Sequence, residues 1–198
     1  MDFLHAADLV AVFVAATSGA LAARQKEMDF FGSFMLAVIT GTGGGTLRSL
    51  LIGDHPVPVF RAPDYLIVAA LAAIACAFLA GWLERMKRIV STVDAFAIGV
   101  FMVIGVRIGQ QHQLDWWVCL CLGVITATFG GVLRDVARNE VPLIFRKEIY
   151  ATACLIGGGV LLALDAAGAR PGLSLLIGGG TATTIRLLAI RYAINRSE

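Results

Sequence analysis

The chain has 198 residues, 58% of them hydrophobic and only 15% charged, with a mean hydropathy of +0.81. That composition excludes an ordinary soluble domain and identifies an integral membrane protein. The small net charge of +2 comes from basic residues in short loops, with no patch interleaved with aromatics, which excludes a nucleic-acid-binding role.

About seven apolar segments of roughly twenty residues follow one another, each long enough to cross the ~30 Å hydrocarbon layer as a helix. The fold class expected is an all-α integral membrane protein of seven transmembrane helices. The first span runs from about Leu4 to Ala23. Its acidic lead-in, Met1-Asp2, lacks a basic n-region, so a spanning helix is expected and not a cleaved signal peptide. After the turn Arg24-Gln25-Lys26-Glu27, the second span covers about Phe30 to Ile52 and holds Gly43-Gly44-Gly45-Thr46-Leu47-Arg48. Gly53-Asp54-His55-Pro56 is a turn, and a short stretch through Arg61 leads to Pro63-Asp64, which opens the third span, to about Leu83.

A basic loop with Arg85, Lys87 and Arg88 precedes the fourth span, about Val90 to Gly109. The polar turn Gln110-Gln111-His112-Gln113 leads to the fifth, about Leu114 to Ala137, which holds Phe129-Gly130-Gly131-Val132-Leu133-Arg134-Asp135. Asn139-Glu140-Val141-Pro142 closes it, Arg146-Lys147-Glu148 opens the sixth, to about Ala167, and Gly168-Ala169-Arg170-Pro171-Gly172 turns into the seventh, about Leu173 to Ile190. Cys76, Cys119, Cys121 and Cys154 all lie within spans, where thiols behave as small hydrophobes.

A single offset of 86 residues aligns Asp8 with Asp94, Gly19 with Gly105, Asp29 with Asp115, Thr40 with Thr126, and Gly44-Gly45 with Gly130-Gly131. It also aligns Leu47-Arg48 with Leu133-Arg134, Asp54 with Glu140, and Pro56 with Pro142. Residues 1–86 and 87–171 therefore read as two copies of a three-helix unit, with 172–198 as a seventh helix and tail. Three spans per copy is an odd number, so the copies enter the membrane with opposite orientation. Inverted repeats of this kind place a pathway or binding site between the halves. Arg24, Lys26, Arg85, Lys87, Arg88, Arg138, Arg146, Lys147, Arg191 and Arg196 fall on one side, and Arg61 and Arg170 on the other. The positive-inside rule then puts the N-terminus outside and the C-terminus in the cytoplasm.

Glycine is the weakest helix former after proline, and arginine is expensive in hydrocarbon. A helix that loses its ladder at a glycine run frees carbonyls on one side, suited to a dehydrated cation, and amides on the other, suited to an anion or carboxylate. The alternative is that the glycines let neighbouring helices approach closely. Arg48 and Arg134 lie about eighteen residues into their spans, roughly 27 Å along a helix and near its far end. Two symmetry-related ion pairs are predicted, Asp8–Arg48 and Asp94–Arg134. Asp135 is expected to be the poorer partner for Arg134, because neighbours in sequence do not face each other on a helix.

The hydroxyls of Thr40, Thr42, Thr46, Thr126 and Thr128 either bond a carbonyl one turn earlier or line a wet path. The seventh span repeats the glycine theme at Gly178-Gly179-Gly180, read mainly as close packing. His5, His55 and His112 are isolated, Glu140 and Glu148 read as solvated charge, and no nucleophile–base arrangement or metal-ligand cluster occurs. Enzyme activity, a cofactor and a bound metal are not expected.

The stretches Asp8 to Gly19 with Thr40 to Arg48, and Asp94 to Gly105 with Gly130 to Asp135 and Glu140-Val141-Pro142, resemble the bacterial branch of the TRIC family. These are the trimeric intracellular cation channels, whose bacterial members also carry the label of glycine transporter domain proteins. The resemblance covers nearly the whole chain. It implies an inverted three-helix repeat plus a seventh helix, a homotrimer in the cell inner membrane among its lipids, and a potassium-permeable pore in each protomer. It further implies that the second and fifth helices are kinked at their glycine motifs and line that pore. Carried over, the pore-lining candidates are Gly43, Gly44, Gly45 and Arg48, with Phe129, Gly130, Gly131, Arg134 and Asp135; Thr42, Ser49 and Thr126 complete the set of pathway candidates. Ser49 stands where the family usually has aspartate, and Phe129 replaces the first glycine of the second cluster. The expected partners are potassium or other monovalent cations. The competing readings are a secondary transporter for a small zwitterion such as glycine, and a trimeric scaffold.

Overall fold

Alanine and glycine set the spacing of the helices. In a computed structural model describing residues 3–83, 89–146 and 149–195, every regular element among the described residues is helical: α1 (Phe3–Arg24), α2 (Phe30–Leu51), α3 (Pro58–Arg61), α4 (Asp64–Leu83), α5 (Ile89–Gln111), α6 (Trp116–Ala137), α7 (Leu143–Arg146), α8 (Ala151–Ala166) and α9 (Pro171–Asn195). Met1-Asp2, the basic residues Arg85, Lys87, Arg88, Lys147 and Arg196, Glu148, and the boundary between 86 and 87 lie outside the described residues. Five helices contain stretches long and apolar enough to cross a membrane, while the apolar stretches of α4 and α8, Asp64–Phe78 and Ala151–Ala166, are shorter. The short helices α3 and α7 were not expected; each leads into the following long helix from a proline turn.

On α1, Ala16 and Ala20 are fully buried with Ala69, Ala72 and Ala73 of α4, the small-residue contact that membrane helices use where lipid gives no hydrophobic drive to associate. Large apolar side chains point outward instead, with Phe78 87%, Leu176 76% and Trp116 69% exposed, an arrangement that suits a lipid surround.

The two halves match in backbone conformation as well as sequence. Glu27 and Gln113, 86 residues apart, both take a left-handed φ (55° and 56°), and so do Gly53 and Asn139 (70° and 56°). Each pair ends an equivalent helix-to-helix turn. α1 packs on α2 and α4 as α5 packs on α6 and α8, and the halves meet through α1 on α5 and α2 on α6. α9 has no counterpart. It lies on α5 and α8 at glycine contacts, Gly179 against Gly99 and Gly178 against Gly157.

One clamp has no equivalent in the first half. Arg107 of α5 reaches both carboxylate oxygens of Asp165 on α8 (2.7 and 3.1 Å) and the Pro171 carbonyl (3.2 Å), while Gln110 donates to Asp165 (3.0 Å). The ends of α5 and α8 and the start of α9 are thus tied together. On the opposite face, Lys26 pairs with Glu140 (3.1 Å) and Arg138 with Gln25 (3.0 Å) and Glu140 (3.3 Å). Glu140, expected to be merely solvated, joins the α1–α2 turn to the end of α6. His5 is likewise not isolated: its Nε2 lies 2.7 Å from Asp64.

Candidate functional site

The site is the crossing of α2 and α6, with a buried arginine at the far end of each helix. Both helices are α-helical without interruption through their glycine clusters. The expected loss of the ladder does not occur, because tertiary contacts at the glycines outweigh their weak intrinsic preference. Those contacts are reciprocal. A Cβ on Gly44 would collide with the Thr126 carbonyl, and a Cβ on Gly130 with the Thr40 carbonyl. Gly43 faces the Leu133 side chain and the Gly130 Cα, the latter 3.5 Å from a built Cβ. Gly19 and Gly105 let α1 and α5 approach α2 and α6 in the same reciprocal way, against Thr40 and Thr126.

Four of the five threonine hydroxyls donate one turn back: Thr40 to Leu36 and Thr126 to Leu122 (both 2.6 Å), Thr42 to Val38 and Thr128 to Val124 (both 2.8 Å). Their protons are committed, and only oxygen lone pairs remain to face a pathway. Beside the crossing, Thr40, Thr126, Gly130, Gly131, Asp94 and Phe101 border a cavity of about 10 Å³, room for about one water.

At the end of α6, Arg134 is 1% exposed, with its Nη1 and Nε both engaged. Its Nη1 donates to Asp94 Oδ1 (2.9 Å) and Ser18 Oγ (2.7 Å), and its Nε to Asp135 Oδ1 (2.9 Å). Tyr150 Oη donates to the other Asp94 oxygen (3.0 Å), and Asp135 Oδ2 accepts from the Leu143 amide (3.0 Å) at the start of α7. Asp94 and Arg134 are thus brought together. The expectation that Asp135 would be a poor partner is corrected, since the long arginine side chain folds back to its neighbour although their Cβ atoms diverge. Gly131 lies under the cluster, where a Cβ would come 2.8 Å from Tyr150 Oη. Tyr150 also lies under Arg186 of α9, whose guanidinium carbon is 4.6 Å from the ring centroid.

At the end of α2 the pattern is incomplete. Arg48 is 2% exposed and Ser49 fully buried, but the predicted Asp8–Arg48 pair is not formed within 4 Å. Asp8, half-buried, instead accepts from Tyr65 Oη (2.7 Å). Nε and Nη1 of Arg48 and Oγ of Ser49 have no hydrogen-bond partner. Gly45, Thr42 and Phe129 are half-buried on the same helices, away from the closest backbone contact.

Sequence reasoning missed Tyr65, Tyr150 and Ser18. The tyrosines are 85 residues apart, so an alignment allowed to slip by one would have paired them. Replacing Tyr150 with phenylalanine is expected to cost about 1 kcal/mol by unpairing one oxygen of buried Asp94. That should lower the melting temperature of the detergent-purified protein by roughly 2–4 °C. Tyr65→Phe should cost less, because half-buried Asp8 can turn to water; equal losses would contradict this.

The glycine transporter family model matches residues 5–81 and again 91–166. A UPF0126 membrane protein of Vibrio cholerae is 37% identical over 98% of this chain and 82% of its own length. The UPF0126 inner membrane protein YadS of Escherichia coli K12 is 40% identical over 76% of this chain and 73% of its own. Among solved structures, the TRIC trimeric intracellular cation channel orthologue from Rhodobacter sphaeroides superposes with a TM-score of 0.93 at 35% identity, covering 98% of this chain and all of that one. A prokaryotic TRIC channel crystallised in 0.5 M KCl gives 0.90 at 28% identity over 96% and 97% of the two chains.

Proposed function

The chain belongs to the glycine transporter family, to which the bacterial TRIC channels and UPF0126 membrane proteins are its relatives, and from that membership we propose that it is a homotrimeric, potassium-permeable channel. The pathway runs within each protomer between α2 and α6. The protomer crosses the membrane seven times, α4 and α8 included, with its N-terminus outside and its C-terminus in the cytoplasm. It is built of the repeats 1–86 and 87–171 with 172–198 added.

The observation that carries this reading is the α2–α6 crossing. Beside the point where α2 and α6 meet at their glycines, α1 and α5 join them around a water-sized cavity bordered by Thr40, Thr126 and Asp94. Oxygen lone pairs and a carboxylate favour a cation over an anion. The pathway residues proposed are Thr42, Gly43, Gly44, Gly45, Arg48 and Ser49 on α2, with Thr126, Phe129, Gly130, Gly131, Arg134 and Asp135 on α6. At the glycine crossing the helices touch backbone to backbone, so conduction requires α2 and α6 to part. The Asp94–Arg134–Asp135 cluster fixes the end of α6 to α5, to Ser18 of α1 and to the start of α7, so that parting the helices leaves α6 anchored at that end.

Reconstitution in planar bilayers under a potassium chloride gradient tests the proposal. Discrete openings that reverse near the potassium equilibrium potential and ignore added glycine are expected. A silent bilayer together with saturable glycine uptake into liposomes would overturn the channel reading in favour of the transporter.

A further inference from the structure

The two buried arginines differ in a way that points to a ligand. In the second half, Nε of Arg134 is met by the carboxylate of the next residue, Asp135, whose other oxygen accepts the Leu143 amide. Applying the 86-residue offset, the equivalent groups in the first half are Nε of Arg48, the side chain of Ser49 and the amide of Val57. Serine has replaced the carboxylate, and all three groups are now donors. Nε of Arg48 and Oγ of Ser49 are buried with no partner. No backbone hydrogen bond starts from the Val57 amide, and that residue is 7% exposed. Nη1 of Arg48 is also without a partner. Its two acceptors in the other half, Asp94 and Ser18, have as counterparts Asp8, engaged by Tyr65, and Ile104, which carries no polar atom.

A guanidinium 2% exposed, two of whose donor nitrogens lack partners, is costly in a low-dielectric surround. Buried Arg186 and half-buried Arg138 leave only Nε in that state. A water could satisfy the donors but would not replace the carboxylate that Asp135 sets directly on Arg134; Asp8 and Asp54 act on the Arg48 charge only from beyond ion-pair distance. A small monovalent anion would do both, since it accepts from N–H and O–H groups and restores the charge that Asp135 supplies to Arg134.

We propose that the Arg48–Ser49 end of α2 is a binding site for a small monovalent anion of chloride size, held by Nε of Arg48 and Oγ of Ser49, with the Val57 amide beside them. The bound ion takes the part that the Asp135 carboxylate plays in the other half. The proposal does not depend on which solute the protein passes, and its test reads stability and diffraction, not current.

The purified protein is melted at constant ionic strength while potassium gluconate is replaced by potassium chloride. Gluconate, a much bulkier anion than chloride, is the comparison ion. The melting temperature of the wild type is expected to rise saturably, by roughly 2–4 °C, as a ligand bound only to the folded state requires. Ser49→Asp supplies the carboxylate covalently, so this variant should melt at the higher temperature in gluconate and no longer respond to chloride. Crystals of the wild type grown in bromide should show an anomalous peak within hydrogen-bond reach of Arg48 Nε, a readout that stands even if Ser49→Asp does not fold. A wild type indifferent to chloride, a Ser49→Asp protein that responds as strongly as the wild type, or bromide crystals without the peak would each overturn the site and leave water as the partner of these donors.

Discussion

Gly44→Ala is expected to lower the melting temperature of the purified protein by roughly 6–12 °C, the counterpart of about 3 kcal/mol in a chain of this size. The added methyl meets the Thr126 carbonyl oxygen, its carbon at 2.9 Å and the Thr126 Cα at 3.2 Å. All three are backbone atoms of a helix, and none can rotate aside. α6 must therefore back away as a body, and in doing so it opens the Gly130–Thr40 contact in the same interface. Gly130→Ala should fail for the mirror-image reason, and the double substitution should cost less than the sum of the singles because either one already separates the helices. Gly159→Ala is the control. It sits in α8 with nothing within 4 Å of a built Cβ, so alanine should stabilise by about 0.5–1 kcal/mol through helix propensity alone. A Gly44→Ala protein melting within about 1 °C of the wild type would mean that the backbone contact is not made.

The second large effect is expected at the other end of α6. Asp94→Ala removes the carboxylate that Arg134 Nη1 and Tyr150 Oη both address, leaving a guanidinium that is 1% exposed with less than its full set of acceptors. Breaking one partner of a buried pair costs about 3–5 kcal/mol, whereas replacing both by apolar groups of similar volume is often close to neutral. Asp94→Leu with Arg134→Met and Asp135→Asn, which leaves no buried charge in the cluster, should therefore melt above Asp94→Ala, although it lacks more polar contacts. Asp8→Ala, which forms no ion pair within 4 Å, should cost no more than about 1 kcal/mol. Melting curves of these variants decide the matter: equal losses at Asp8 and Asp94 would show that the two ends are energetically equivalent, contrary to the geometry.

The offset of 86 residues that was legible in the sequence recurs in three dimensions where the contact depends on backbone. Gly44 meets Thr126 as Gly130 meets Thr40, and the left-handed turn residues Glu27 and Gln113 stand at the same separation. What could not be read depends on side chains that the duplication has let diverge. The repeat pairs Asp8 with Arg48 as it pairs Asp94 with Arg134, yet Tyr65 takes the first carboxylate and Ser49 makes no hydrogen bond to the guanidinium. The tyrosines escaped notice because their spacing differs by one from that of the other repeated positions. The Arg107–Asp165 clamp escaped because it has no copy: the corresponding first-half residues are Leu21 and Leu79. The glycine clusters were recognised as special, but the ladder was expected to break there. Propensity scales describe a helix in water, and between close-packed neighbours the missing side chain is what permits contact without loss of the helix.

The reciprocal glycine contacts also set an order of assembly. Gly44 finds its partner in Thr126, 82 residues later in the chain. At about 5–20 residues per second, α2 waits in the bilayer for roughly 4–16 s before the backbone it fits has been made. Arg134 has no such delay, since Ser18 and Asp94 both precede it in the chain. The nascent first half is consequently the vulnerable species during biosynthesis. It carries Arg48 and an uncovered glycine face into the membrane with α6 still unmade, and membrane proteases and quality control would meet the protein in that interval.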